Sequence, residues 1–130
     1  MSKSIHFRFE KLDVWQNARK LNSTVYRLTR QFPSHELYTL TSQIRRASIS
    51  ISSNIAEGSG RNSDKDFAHF LEQAYGSSME LASQFYLALD ESYLASEAAD
   101  PVFERINAVA GQLVSLNRSL HVPGSKVRIV

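Results

Sequence analysis

Apolar residues in this chain recur at alternating spacings of three and four. That rhythm is interrupted at few places: Pro33, Gly58 with Gly60, Pro101, and Pro123 with Gly124. Such a repeat keeps one seam of a helix turned toward its neighbours. The first stripe is Val14, Ala18, Leu21, Val25, Leu28 and Phe32. The second is Leu37, Leu40, Ile44, Ala47 and Ile51, ending near Asn54–Ile55. The third is Phe67, Leu71, Ala74, Ser78, Leu81, Phe85, Ala88 and Ser92. The fourth is Val102, Ile106, Val109, Leu113, Leu116 and Leu120. The prediction is an all-α fold, an antiparallel up-down-up-down four-helix bundle, because short loops place consecutive helices side by side. A chain of 130 residues holds one such domain. Its expected extent is 1–120, with 1–10 as an extended arm in which Ile5, Phe7 and Phe9 alternate. Residues 121–130 form a tail, whose Val127–Val130 stretch has the composition of a strand.

Local chemistry suggests where the helices stop. Gly58 follows Glu57 and is placed to close the second helix in a left-handed conformation. Ser63, with Asp66 three residues on, reads as an N-cap, and Asp64 and Asp66 suit the positive end of the helix dipole. The fourth helix has two candidate starts: Ser96 capping Glu97, or Asp100 capping Pro101.

The net charge of +2 hides a strong asymmetry. Residues 1–63 hold ten Lys and Arg against four Asp and Glu, whereas 64–120 hold three against nine. The absence of cysteine excludes disulfides, thiolate metal sites and a Cys nucleophile, and fits a cytoplasmic protein. The N-terminus lacks the apolar core of a signal peptide, and no apolar run is long enough to span a membrane.

The third helix carries a second stripe: Tyr75, Met79, Ala82, Tyr86, Leu89 and Tyr93. Together the two stripes make an apolar arc of about 160°. One reading is a wide core face with tyrosine hydroxyls at its rim. The other is a subunit interface, where Tyr and Met are favoured. Tyr38, Ile49 and Ala56 add apolar surface on the second helix, and the charge split suits a head-to-tail contact between subunits.

Catalytic signals are sparse. His69 and Glu72 form a single reversed pair, short of the several converging ligands that a bundle metal site needs. No His or Lys is spaced as a base for Ser48, Ser50, Ser52 or Ser53. No cofactor or metal is expected. The segment Gly58–Ser63 precedes a helix and could present amides and Arg61 to an anion, or could be a simple cap and turn. Arg19, Lys20, Arg27 and Arg30 lie near one side of the first helix, and Arg45, Arg46 and Arg61 follow. A basic face of this kind is the footprint of phosphate binding. The competing readings are a solvated helix face and, for Arg45 or Arg46, an ion pair with Glu80 across an antiparallel helix pair.

The wording of the sequence then becomes specific. Phe9-Glu-Lys-Leu-Asp-Val-Trp-Gln16 resembles the opening of the 23S rRNA-intervening sequence protein family, also called four-helix bundle proteins. Tyr38-Thr-Leu-Thr-Ser-Gln-Ile-Arg-Arg-Ala47, Ser50-Ile-Ser-Ser-Asn-Ile-Ala-Glu-Gly58 and Gly60-Arg61 are similar to its signature, as are Phe67–Leu71, Ala74–Ser77 and Glu80-Leu81. The resemblance implies a bacterial helix bundle assembled into a ring, typically a homopentamer, with no enzymatic activity. Members occur in reading frames within intervening sequences of 23S rRNA genes. Related accessory proteins of diversity-generating retroelements form basic barrels that bind a reverse transcriptase and nucleic acid. Gln43, Arg45, Arg46, Asn54, Glu57, Gly58 and Arg61 match the signature. Of these, Gln43, Asn54, Glu57 and Gly58, with Glu80, are read as structural.

Two functions follow as expectations. The first is a non-enzymatic oligomer that binds RNA, DNA or a nucleoprotein partner such as a reverse transcriptase through its basic side chains. The second is an oligomeric protein–protein adaptor with no nucleic-acid role. The expected partners include further copies of the chain and exclude a membrane.

Overall fold

The computed structural model describes residues 6–122. They form four α-helices: α1 (Asp13–Thr29), α2 (Leu40–Ser59), α3 (Asp64–Asp90) and α4 (Ser96–Ser119). Two 3₁₀ turns, Arg8–Lys11 and Ser34–Glu36, precede α1 and α2, and there is no strand among the described residues. The 3–4 stripes are the core. Leu21, Val25, Ile44, Ile51, Ile55, Leu71, Leu81, Phe85, Val102 and Leu113 are all fully buried. Each such side chain contributes about 1.5–3 kcal/mol by leaving water. No helix among the described residues is long and apolar enough to cross a membrane.

Side chains at the seams tie the helices pairwise. Ser48 Oγ on α2 donates to Asn22 Oδ1 on α1 at 2.8 Å. Ser50 on α2 and Ser77 on α3 share a hydroxyl–hydroxyl bond of 2.8 Å. Tyr86 of α3 packs its ring on Phe103 of α4, with centroids 4.6 Å apart. Asn17 Nδ2 on α1 donates to Gln112 Oε1 on α4 at 3.0 Å.

Helix ends depart from expectation in instructive ways. Helix α2 starts at Leu40, leaving Leu37 on the surface, and runs through Asn54–Ile55 to Ser59. Gly58 is therefore helical, not a left-handed cap, and the C-cap is Gly60 with a right-handed φ of −88°. Gly58 is small for another reason. A Cβ there would lie 2.7 Å from Phe70 Cβ and 2.9 Å from Phe67 Cδ1. The glycine lets α2 and α3 close on each other as they leave their shared turn.

Ser63 caps α3 as its position suggests, its side chain accepting from the Asp66 N–H at 3.1 Å. At the other end α3 stops at Asp90, so Ser92 is not a core position. Ser92 is exposed with φ 60°, and the Tyr93 N–H reaches back to the Ala88 carbonyl at 3.0 Å. That pattern is a Schellman closure with serine in the left-handed place usually held by glycine. Neither expected cap starts α4. Its N-cap is Ala95, whose carbonyl accepts from the Ala98 and Ala99 N–H groups, and Pro101 lies inside the helix.

Where the expected arm meets the bundle, Arg8–Lys11 form a 3₁₀ turn rather than an extended strip. Phe7 stacks on Phe9, and Phe9 packs on Trp15 at 4.6 Å. Arg8 Nη1 donates to the Ser59 carbonyl at 2.9 Å. This supplies a partner to one of the carbonyls that every helix C-terminus leaves open. Ile5 and the strand-like Val127–Val130 lie outside the described residues.

Candidate nucleic-acid interface

Helix α1 buries Val14, Ala18, Leu21 and Val25, which forces the residues between them outward. Arg19, Lys20, Arg27 and Arg30 are all exposed. At about 1.5 Å per residue, Arg19 and Arg30 stand roughly 16 Å apart along the helix. None of the four forms an ion pair among the described residues. Arg19 instead lies over the Trp15 ring, its guanidinium carbon 5.6 Å from the centroid.

Arg45 joins this face from α2. Its Nε donates to Thr29 Oγ1 at 2.9 Å, and its guanidinium carbon sits 4.7 Å from the centre of the Tyr26 ring. It is half-buried and points to α1, so the ion pair with Glu80, one of the competing readings for it, does not form. Beside it, a depression of about 410 Å³ is lined by Asn22, Ser23, Tyr26, Arg27 and Arg30. Sequence patterning singled out the arginines but not Asn22, Ser23, Tyr26 or Thr29. The available signal was the i, i+4 spacing of Ser23 from Arg27 and of Tyr26 from Arg30, while nothing in the spacing marked Asn22 or Thr29.

The remaining cations stand elsewhere. Arg46 is exposed and makes no ion pair with Glu80, which is also exposed. Arg61 is engaged within its own turn, with Nη2 3.1 Å from Glu57 Oε1 and its guanidinium carbon 4.8 Å from the Phe70 ring centre. The Gly58–Ser63 turn is also self-satisfied, because the Gly60 and Arg61 N–H groups bond the Glu57 and Gly58 carbonyls. The anion cradle considered for this turn loses those two amides.

The chain matches the 23S rRNA-intervening sequence protein family over residues 10–115. It belongs to this family. Curated proteins give no match. The match spans all of α1, α2 and α3 and most of α4.

In this family member the motif positions fall into two groups. Gly58 fills the closest approach of α2 to α3, and Asn54 bonds Ser50, Nδ2 to the carbonyl at 2.8 Å and to Oγ at 3.0 Å. Gln43, Arg46, Glu57, Gly76 and Glu80 are exposed on the outer sides of α2 and α3. A Cβ on Gly76 would meet no atom within 4 Å.

The second stripe of α3 divides too. Tyr75, Ala82 and Tyr93 pack against the core, and Leu89 is half-buried. Met79 and Tyr86 remain 42% and 60% exposed. Leu87, outside the stripe, is 50% exposed, and Ile49 and Tyr38 on the α2 side are also open.

Tyr93 has an additional task. Its hydroxyl donates to Glu36 Oε2 at 2.6 Å and lies 3.3 Å from His35 Nε2, while its ring packs on Phe32. Thr39 Oγ1 donates to the other Glu36 oxygen, Oε1. The Thr39 and Tyr93 hydrogen bonds hold the Glu36 carboxyl below its ordinary pKa. The same Glu36 bond, aided by burial, pushes the Tyr93 phenol up to about 12. This cluster clasps the α1–α2 connection to the α3–α4 connection. His69 Nε2 lies 2.9 Å from Gln73 Nε2, and no group of three or more potential metal ligands occurs among the described residues.

Proposed function

We propose that this protein is a non-enzymatic, cytoplasmic, ring-forming homo-oligomer of antiparallel up-down-up-down bundles that binds nucleic acid through its α1–α2 face. The paired contacts support the helix directions. Positions 22 with 48 and 29 with 45 run opposite ways along α1 and α2, as do 50 with 77 and 58 with 70 along α2 and α3. The observation that carries the binding reading is the α1 face itself. Four exposed cations without acidic partners line one helix, and Arg45 extends the row onto the next. Each phosphate neutralised by such a face releases counterions, so affinity must fall as salt rises. A ring would repeat the face and multiply the effect.

Self-association is supported by the open apolar side chains Met79, Tyr86, Leu87, Ile49 and Tyr38. The open space over Gly76 supports it as well, since a mid-helix glycine costs about 0.5–1 kcal/mol relative to alanine and none of the described residues uses the room. Light scattering on the purified protein tests assembly. A multimer that Tyr86→Asp or Met79→Asp dissociates is expected, and a wild-type monomer at micromolar concentration would refute it. Binding of single-stranded RNA and of duplex DNA across a salt series tests the function. Affinity that steepens as salt falls is expected. An assembly that binds neither at low salt would return the protein to the adaptor role.

A further inference from the structure

The depression beside Arg45 differs from the rest of the basic face because its polar groups are held in place. Asn22 is fixed by Ser48, which donates to its Oδ1 and leaves the Nδ2 hydrogens as the free end of the amide. Arg45 is fixed twice, by the bond from its Nε to Thr29 and by the face of Tyr26. Those contacts spend one of its five N–H donors and leave both terminal nitrogens without a protein partner among the described residues. Arg27 and Arg30 border the same hollow and are exposed. No carboxylate lines it.

A half-buried guanidinium with no acidic partner calls for an anion or water to complete it. The hollow is lined by two charged donors, Arg27 and Arg30, and by the pinned amide of Asn22, with no acidic side chain, and Arg45 lies over the ring of Tyr26, which lines it too. Its chemistry selects a compact oxyanion with several acceptor oxygens. The planar fork of an arginine matches two oxygens of a phosphate at once, which an ammonium cannot do.

We infer that Arg45 and Asn22 form a fixed seat for one phosphate group of a bound nucleic-acid strand, with Arg27 and Arg30 closing on it from α1. This rests on the nucleic-acid reading and sharpens it. Arg19 and Lys20 then act as diffuse charge along the strand. The α1–α2 seam sets the strand's position, because there Arg45 and Asn22 are each held by a side-chain hydrogen bond.

The test uses the full chain, ¹⁵N-labelled, titrated first with inorganic phosphate and then with a short unstructured RNA. Both ligands are expected to shift the Arg45 Nε–H and Asn22 side-chain amide signals, and the RNA to displace phosphate. Arg45→Lys keeps the charge and loses the fork, and should weaken RNA binding about tenfold, in line with the loss of a bidentate contact. Arg30→Gln, an exposed change that leaves packing alone, should lower the salt slope by about one. Arg105→Gln on α4 should alter neither. If RNA binds with normal salt dependence while Arg45→Lys and Arg30→Gln leave affinity within twofold, the seat is wrong and the broader reading stands. If phosphate shifts these signals but RNA does not bind, an anion site stands, and the nucleic-acid reading falls together with the strand seat. If neither ligand moves them, the seat is refuted.

Discussion

The α2–α3 pair and the α1–α4 pair are joined by different means. Along α2–α3, Gly58 admits the Phe67 and Phe70 side chains at a distance no other residue would allow, and Ser50 meets Ser77 hydroxyl to hydroxyl. Along α1–α4, Asn17 and Gln112 share one hydrogen bond between their side-chain amides. Next to it an open groove of about 580 Å³ is lined by Leu12, Val14, Ala108, Gly111 and Leu116. The difference teaches where this sequence is constrained. Tight seams demand particular small residues. Loose seams accept any helix with an apolar stripe.

One substitution made in both seams should break or confirm that contrast. Gly58→Ala places a methyl group against Phe67 and Phe70 and should cost about 1–3 kcal/mol of stability, read by urea denaturation. Gly111→Ala, on the lining of the groove, should cost less than Gly58→Ala. Equal losses at both sites would erase the distinction. Removing the polar tie of the loose seam, by Asn17→Ala, should cost about 0.5–1.5 kcal/mol.

A smaller effect is expected at the clasp between the two inter-helix connections. The Tyr93 phenol titrates higher in the folded chain than in the unfolded one, so its contribution is complete below about pH 10. It is lost as pH rises toward about 12. Glu36 has the opposite sign: its lowered pKa stabilises above the ordinary carboxylate range, and that contribution fades as pH falls through it. Tyr93→Phe should flatten both arms of a stability–pH curve relative to the native protein. Parallel curves would remove the clasp from the account.

Much of the fold was legible because burial imposes a period. Val14, Ala18, Leu21 and Val25, and likewise Phe67, Leu71, Ala74 and Leu81, are named by spacing alone and are buried. Ser63 was legible as a cap because the bond it makes is local. Gly58 was misread for the converse reason. A glycine near a helix end has the same local appearance whether it turns the chain or yields space, and only the distant Phe67 and Phe70 decide. Arg45 was legible as basic, but its destination was not. Thr29 and Tyr26 outcompete Glu80 for it across a seam that spacing does not describe. Tyr93 read as interface, yet its hydroxyl is engaged by Glu36, 57 residues away in sequence.

The α1–α2 face as a nucleic-acid surface is the central claim, and one measurement addresses it most directly. The affinity of the intact assembly for a single-stranded RNA should be followed from low to physiological salt, for the native chain and for Arg27→Gln/Arg30→Gln. A log–log slope that is steep in the native protein and shallower by about two in the variant is the predicted result. A slope unchanged by removing both arginines, or affinity indifferent to salt, would contradict it.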